Sequence, residues 1–277
     1  MELIIELLKV IALGVIEGFS EWLPISSTGH MILADEFLKL NVDTEFKNLF
    51  LVVIQLGAIL AVVWLYFHKL NPFSPKKTSV QKKETWSIWF KVLAAVTPAA
   101  VIGLLFEDAI DQALGSPMIV VAMLILYGVL FIVVENKNKG IKPRVNSFQM
   151  FTYQDAMIIG FLQVLALIPG TSRSGVTIVG AIMFGMSRKI AAEFTFFLSI
   201  PVMFGVSFLK LIKYGFDFTG IELLLLLVGC VVAFFVSVFT IKFLMSYIKK
   251  HDFKVFGYYR IGLGVILFIY FMVKAMV

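Results

Sequence analysis

Charged residues are scarce in this sequence. Asp, Glu, Lys and Arg make up 15% of its 277 residues, whereas hydrophobic residues make up 60% and the mean hydropathy is +0.96. Ordinary globular chains carry about 25% charged residues, so this composition excludes a water-soluble domain. The sequence predicts a polytopic membrane protein.

Signals of other protein classes are also missing. Gly and Pro, at 20 and 8 residues, are near their average frequencies, and 28 Phe residues are too many for a disordered or collagen-like chain. A single cysteine, Cys230, excludes an internal disulfide and lies among Leu and Val, where a small core residue is expected. The apolar runs are unbroken rather than alternating, which excludes a transmembrane β-barrel.

Six apolar stretches are long enough to cross about 30 Å of hydrocarbon as helices. We predict an all-α protein with transmembrane helices at residues 48–67, 86–106, 112–134, 191–211, 221–243 and 255–275. The formal net charge of +6 does not indicate nucleic-acid binding, because the basic residues lie in the connections between these stretches.

Two other apolar stretches are interrupted near their middle by helix breakers and polar residues, one at residues 24–30 and one at residues 169–175. Neither half of either stretch is long enough to span. We therefore predict two re-entrant helical hairpins, at residues 2–40 and 153–186. Their tips should be buried against protein, because irregular backbone at membrane depth is tolerated only there.

The distribution of Lys and Arg predicts the orientation. The connections at residues 68–86, 135–153, 188–189 and 242–254 are basic and are expected on the cytoplasmic side, whereas the remaining connections are acidic or nearly neutral. Six crossings alternate without conflict only if the first hairpin enters from outside and the second from the cytoplasm. The two hairpins therefore point at each other.

An internal repeat agrees with this topology. A shift of 146 residues places Gly14 on Gly160, Glu17 on Gln163 and Ser26 on Ser172 without a gap. We predict a first repeat at residues 1–146 and a second at 147–277. Each holds one hairpin and three crossings, so the second is inverted, and inverted repeats place their site near the midplane. A chance match in a biased composition is the alternative.

The first hairpin carries two acids, Glu17 and Glu21, four residues apart on one helix face. Each ionised acid costs roughly 2.5–3.5 kcal/mol in hydrocarbon, so the pair needs a cation, a cationic side chain or protonation. A protonated, hydrogen-bonded pair is the structural alternative. The following Ser26, Ser27, Thr28 and His30 supply hydroxyls and an imidazole, although one hydroxyl could serve only as a helix cap.

The second tip reads PGTSRSGVT and combines glycines, hydroxyls and a helix start around Arg173. This pattern is typical of an anion cradle, since backbone amides and the planar guanidinium suit phosphate oxygens. An arginine that pairs with Glu17 or Glu21 for structure alone is the alternative. We predict that phosphate is bound by small residues of both tips: Ser26, Thr28, Gly170, Thr171, Ser172 and Ser174.

Together the tips hold what phosphoryl transfer requires. Glu17 and Glu21 could bind a divalent cation, Mg²⁺ or Ca²⁺, which shares oxygens with the substrate. Arg173 would neutralise developing charge, and a hydroxyl or a water activated by His30 would attack in line. Ser27 is favoured as the nucleophile because it shares a helix face with His30, although a water that Ser27 only orients remains the alternative.

The segments EGFSEWLPISSTGH and PGTSRSGVT resemble the two signature motifs of the bacterial undecaprenyl-diphosphate phosphatase family, the bacitracin-resistance type. The resemblance extends over essentially the whole chain, including FKNLFLVVIQLGAILAV, GMSRKIAAEFTFFLSIP and RIGLGVILF. It implies divalent-dependent hydrolysis of undecaprenyl diphosphate at the outer side of the bacterial cytoplasmic membrane, which recycles the lipid carrier for cell-wall synthesis. By position it implies catalytic roles for Glu17, Glu21, Ser27, His30 and Arg173.

Two other function classes compete with this interpretation. Inverted repeats with re-entrant hairpins are also found in secondary transporters, so a transporter or lipid flippase is the main alternative. A passive scaffold is a third class, but it has no use for an acid pair in hydrocarbon. The expected partners are a polyprenyl diphosphate lipid and membrane lipids, with no nucleic acid, and a homodimer stays compatible with the sequence.

Overall fold

The computed structural model describes residues 2–276, apart from the side chains at positions 107, 108 and 111. This part of the chain is helical. Its α-helices are α1 Glu2–Ser20, α2 Ser27–Phe37, α3 Thr44–Leu65, α4 Phe67–Leu70, α5 Ser79–Leu114, α6 Pro117–Lys137, α7 Tyr153–Gln163, α8 Arg173–Met183, α9 Arg188–Tyr214, α10 Gly220–Tyr247 and α11 Lys254–Met276, with a 3₁₀ turn at Val164–Leu167.

Six of these helices, α3, α5, α6, α9, α10 and α11, are long and apolar enough to cross a membrane. Their mean hydropathies over 18-residue windows run from 1.7 to 2.9. This confirms the predicted all-α architecture with six transmembrane helices, and the protein is a multi-pass membrane protein.

The boundaries differ from prediction around the second and third crossings. Helix α5 runs to Leu114, so the expectation that the third crossing begins at residue 112 is wrong. The reason is local: Ser116 caps the next helix by accepting a hydrogen bond from Ile119 N, and Pro117 occupies its first turn. Proline is preferred at that position because its missing N–H would have no partner there.

Each interrupted stretch folds into two antiparallel arms whose outer ends lie together. Lys9 near the start of α1 donates to the carbonyl of Lys39 just beyond α2, at 2.6 Å. In the second stretch Arg144 donates to Asp155 at the start of α7 and to the carbonyl of Phe184 at the end of α8. This return to the same end is the geometry expected of a hairpin, although its depth in a bilayer stays a prediction.

Helix pairing follows one scheme in both halves. Helix α1 packs along α10 as α7 packs along α5, while α3 packs on α9 and α6 on α11. A glycine permits the close approach in the first two pairs. A Cβ on Gly14 would lie 3.0 Å from the carbonyl oxygen of Gly229, and a Cβ on Gly160 would lie 2.5 Å from that of Ala95. Gly14 and Gly160 match in the predicted repeat, whose boundaries remain a prediction.

The two ends of the helix bundle differ in charge. At one end Arg188 donates to Glu135 at 2.8 Å, and the same carboxylate accepts from the backbone N–H of Phe253. The basic connections thus gather there. At the other end Lys47 pairs with Asp35 at 2.9 Å and Lys274 with Glu36 at 2.6 Å. The first hairpin starts and returns at this second end, and the second hairpin at the basic end.

Candidate active site

The acid pair lies at the end of the first arm. Helix α1 ends at Ser20, but Glu21 N still donates to Glu17 O at 3.0 Å, which keeps the two side chains one helical turn apart. Glu17 is 1% exposed and Glu21 is 8% exposed. Both acids are therefore buried, as a site inside the bundle requires.

Both tips use the same backbone device to start their second arm. Ser26 and Ser172 have φ of 73° and 70°, and within residues 2–276 they are the only non-glycine residues with positive φ. Each hydroxyl caps the following helix, accepting from Gly29 N at 3.4 Å and from Gly175 N at 3.1 Å. Such conformations cost about 1–3 kcal/mol and cluster at functional sites.

The two tips meet at Glu21. The Arg173 guanidinium donates to Glu21 Oε1, and the Ser27 hydroxyl donates to Glu21 Oε2 at 2.8 Å. The Ser174 hydroxyl donates to the Glu21 backbone oxygen at 3.3 Å. The Arg173 and Glu21 side chains are only 14% and 9% exposed. The acid, the hydroxyl and the guanidinium thus form one largely buried cluster, in which Arg173 comes from 152 positions further along the chain than Glu21.

His30 belongs to a different set of contacts. Its Nδ1 lies 2.8 Å from the Ser26 carbonyl oxygen and its Nε2 lies 2.7 Å from the Tyr259 hydroxyl. A carbonyl can only accept, so Nδ1 carries the proton, and in a neutral ring Nε2 then accepts from Tyr259. The Ser27 hydroxyl donates its hydrogen bond to Glu21 rather than to His30. A spacing of three residues places Ser27 and His30 on the same helix face, but it does not by itself form a hydrogen bond between them.

Unpaired buried polar atoms concentrate at the two hairpins. Among the described residues, every buried side-chain nitrogen or oxygen without a hydrogen-bond partner belongs to one of them: Glu17 Oε1, Trp22 Nε1, Gln163 Oε1 and Nε2, Thr171 Oγ1 and Arg173 Nε. Native proteins satisfy nearly all such atoms with protein, water or ligand. This set of unmet donors and acceptors is what a polar ligand at the tips would satisfy.

Arg260 of α11 ties the two tips together, and sequence reasoning missed it. Its side chain is fully buried and donates to the backbone oxygens of Pro24 in the first tip and of Gly170 and Thr171 in the second, at 3.3, 2.9 and 2.9 Å. It also reaches the carbonyls of Met123 and Leu124. Its carbonyl partners leave no trace in a sequence, but an arginine inside the predicted crossing at residues 255–275 was a signal that could have pointed to it.

The six residues predicted to bind phosphate take different places. Ser26 and Ser172 cap helices, Ser174 holds the Glu21 backbone, and Gly170 has φ of 88° with its oxygen on Arg260. Thr171 keeps an unpaired buried hydroxyl, and Thr28 is exposed. Of these six residues, Ser174 contacts Glu21 directly, and the contact of all six with phosphate stays a prediction.

The acids leave room for a divalent cation. Glu17 has an unpaired buried oxygen, whereas each Glu21 oxygen already accepts one hydrogen bond. Within the described residues no group of three or more His, Cys, Asp or Glu could hold a metal ion alone. Mg²⁺ usually binds through one or two carboxylates, several waters and substrate phosphate oxygens, so this donor set fits an ion that arrives with its substrate.

The chain matches known proteins over almost its full length. The family model described as bacitracin resistance protein BacA matches residues 10–266. A protein of Desulfitobacterium hafniense named undecaprenyl-diphosphatase is 58% identical over 275 residues, which is 99% of both chains. One of Enterococcus faecalis with the same name is 59% identical over 95% of this chain and 96% of its own.

A third relative, named undecaprenyl-diphosphatase 1 in Clostridioides difficile, is 57% identical over 97% of both chains. The family model runs from within α1 to within α11, and the Desulfitobacterium hafniense relative matches almost the whole chain. This chain belongs to the bacitracin resistance protein BacA family.

Proposed function

We propose that this protein is a membrane phosphatase that hydrolyses undecaprenyl diphosphate to undecaprenyl phosphate and inorganic phosphate. The observation that carries the proposal is the buried cluster in which Glu21 accepts from both Ser27 and Arg173 across the two tips. The relatives' name, undecaprenyl-diphosphatase, supplies the substrate. The product, undecaprenyl phosphate, would return to cell-wall synthesis as the lipid carrier. Conversion of undecaprenyl diphosphate to this product would give resistance to bacitracin.

In the proposed reaction Ser27 is the nucleophile. Its Oγ forms a bond to the terminal phosphorus, the bond from that phosphorus to the bridging oxygen breaks, and undecaprenyl phosphate leaves. The Ser27 proton passes to Glu21, to which the hydroxyl already donates at 2.8 Å. Water then attacks the phosphoserine phosphorus, the bond from that phosphorus to Ser27 Oγ breaks, and Oγ takes back the proton from Glu21. Inorganic phosphate leaves with the protons of the water. This assigns proton transfer to Glu21 rather than to His30, whose ring contacts Ser26 and Tyr259.

Arg173 stabilises the charge that develops on the phosphoryl oxygens. Its guanidinium binds Glu21 through one nitrogen, and its Nε is a buried donor without an acceptor in the described residues. Positioned donors of this kind act strongly because they are already oriented in a water-poor site. The hydroxyls and amides of residues 170–175 would hold the remaining oxygens of the diphosphate.

A divalent cation, Mg²⁺ or Ca²⁺, completes the proposal, with Glu17 and Glu21 as its protein ligands. When bound, it would withdraw charge from the diphosphate oxygens. Glu17 supports this role because its unpaired oxygen is buried where no described cationic side chain pairs with it. His30 would hold the first tip through the Ser26 carbonyl and keep Tyr259 at its other nitrogen.

The protein would act in the bacterial cytoplasmic membrane with its site open to the outer side. The exposed Thr28 and half-exposed Tyr259 lie next to His30, which favours access along this side of the tip. The apolar tail would enter between the crossing helices, so a short-chain diphosphate should be a poor substrate. Equal rates on short-chain and long-chain diphosphates would contradict this route.

The decisive experiment measures phosphate release from undecaprenyl diphosphate by the purified protein in detergent, with and without a chelator. We expect divalent-dependent release that Ser27→Ala abolishes and Ser207→Ala leaves intact, since Ser207 only donates to the Val52 carbonyl in the crossing helices. Rapid quenching with labelled substrate should trap a phosphoserine. If release persists in Ser27→Ala, water is the nucleophile and Ser27 only orients it. If no phosphate is released, lipid transport becomes the better interpretation of the fold.

A further inference from the structure

A large basic cavity lies at the end of the bundle that carries the basic connections, away from the hairpin tips. It has a volume of about 790 Å³ and lies between α4, the beginning of α5, the connection at residues 146–149 and the beginning of α9. Cavities of this size are in the range that holds small ligands. The proposed phosphatase reaction does not use it.

The cavity carries an excess of positive charge. Five lysines line it, Lys69, Lys76, Lys77, Lys91 and Lys189, together with two acids, Glu84 and Glu193. Both acids already have partners, since Glu193 accepts from Lys69 and Glu84 accepts from the Gln149 amide at 3.0 Å. Lys77 is held in place by the Lys69 carbonyl and the Thr85 hydroxyl, at 2.9 and 2.7 Å. The remaining lysine ammonium groups therefore face a space in which a bound anion would neutralise their charge.

Lys91 separates this cavity from an ordinary basic loop. Lysines in connections are what the positive-inside rule places at a cytoplasmic surface. Lys91 instead lies inside α5, is only 8% exposed, and lines the cavity. Its ammonium lies over the rings of Tyr153 and Phe151, at 5.4 and 5.9 Å, and the Asp155 carboxylate attracts its charge. A charge in such apolar surroundings is costly, and an anionic ligand would stabilise it.

The surroundings favour a ligand at the membrane interface. Three exposed aromatic residues lie in a row near the beginning of α5: Phe73 meets Trp86 edge to face, and Trp86 stacks on Phe90. Exposed aromatic residues of this kind mark the depth of lipid headgroups. Ser87, one residue after Trp86, lines the cavity. An aromatic group beside a lysine cluster is the combination expected where a protein meets the phosphate groups of a bilayer.

We propose that the basic cavity is a phosphate-binding site, distinct from the hairpin tips, whose ligand is a phosphate group from an anionic phospholipid or free inorganic phosphate. The lysine ammonium groups would bind the phosphate oxygens, with hydroxyl and amide donors from Ser87 and Asn146 beside them. The proposal is independent of the enzymatic function, because none of these residues belongs to the cluster around Glu21.

The test compares binding to detergent-purified protein by three probes: phosphatidylglycerol in mixed micelles, phosphatidylcholine in the same micelles, and inorganic phosphate. The double variant Lys76→Gln/Lys189→Gln removes two exposed cavity charges. The matched control is Lys249→Gln/Lys250→Gln, two exposed lysines at the same end that do not line the cavity. We expect phosphatidylglycerol to bind more tightly than phosphatidylcholine, with a loss of at least about tenfold in the cavity variant and little loss in the control.

Lys91→Met serves as a second variant. It should also weaken phosphatidylglycerol binding by about tenfold, while the thermal midpoint without lipid stays the same or rises, because a buried charge is removed. Competition by inorganic phosphate identifies free phosphate as a ligand, and binding without such competition identifies the lipid headgroup. Equal affinity for both lipids, or equal losses in the cavity and control variants, would overturn the proposal. Phosphate release from undecaprenyl diphosphate in plain detergent should be unchanged in the cavity variant, so the two proposals fail separately.

Discussion

The tips of the two hairpins share a backbone and differ in their side chains. Ser26 and Ser172 adopt the same left-handed conformation and cap a helix through the glycine three residues later. At the matching position after each cap the first tip carries Ser27 and the second carries Arg173. One backbone device thus presents a hydroxyl from one side and a guanidinium from the other, and both reach Glu21.

The two hairpins also differ at the position of the first acid. Glu17 of the first hairpin matches Gln163 of the second, and both are almost fully buried with unpaired side-chain atoms. The first hairpin therefore carries both carboxylates, and the second carries an amide and a cation. In the predicted repeat, two matching cradles therefore carry opposite charges, and this difference is what pairs Glu21 with Arg173.

The largest expected effect comes from removing either charge of the Glu21–Arg173 pair. Glu21→Ala and Arg173→Ala should each lower the turnover of undecaprenyl diphosphate by at least about a hundredfold, the scale seen when one transition-state donor is removed. Because the two side chains bind each other, the double variant should be much less impaired than the product of the single losses. Steady-state phosphate release measures all three, and multiplicative losses would mean that the residues act independently.

The second prediction makes the two hairpins alike. Glu17→Gln gives the first hairpin the side chain that the second has at Gln163. If Glu17 binds the divalent cation, the concentration of Mg²⁺ or Ca²⁺ needed for half-maximal rate should rise by at least about tenfold. Titration of the metal at saturating substrate measures this. Gln163→Glu is the matched control, and an unchanged metal dependence in Glu17→Gln would remove Glu17 from the metal site.

The third prediction loosens the connection between the tips. Arg260→Met leaves the carbonyls of Pro24, Gly170 and Thr171 without their donor, at about 1–3 kcal/mol for each unsatisfied group. We expect a lower thermal midpoint and roughly tenfold slower turnover, because a small displacement of the tips separates Ser27 and Arg173 from Glu21. Arg260→Lys keeps the charge but not the planar fork, and should restore only part of both losses.

The smallest effect tests the shared backbone. Ser26→Gly and Ser172→Gly relieve the left-handed conformation but lose the cap, so each should change the free energy of unfolding by no more than about 1 kcal/mol. The two changes should agree with each other if the caps are equivalent. Unfolding in mixed detergent micelles compares them, and a large difference between the two would show that one serine has a further role.

Much of the fold follows from the sequence because membrane crossings are set by length and polarity. Pro24, and Gly170 with its neighbours, mark the two interrupted stretches in the sequence, whereas the orientation inferred from the lysines of the connections stays a prediction. The end of α5 was not predicted from the sequence, because the apolar pattern continues past Leu114 until Ser116 and Pro117 start a new helix.

Part of the site was equally accessible. The sequence shows two acids on one helix face and an arginine between glycines. Such charges need partners in an apolar interior, and the structure brings Glu21, Ser27 and Arg173 together. What could not be predicted are contacts over long sequence separations. The Tyr259 hydroxyl contacts the His30 side chain across 229 residues of sequence. Arg260 donates a hydrogen bond to the Pro24 backbone carbonyl across 236 residues.

The position of Arg260 has a consequence for the order of synthesis. Arg260, which fixes both tips, lies in α11, whereas Glu17 lies in α1 and Glu21 directly follows it. A nascent chain therefore holds its carboxylates in the membrane long before the guanidinium that fastens the two loops is made. The two tips are therefore fastened to each other only after α11 has been made and has packed against α6.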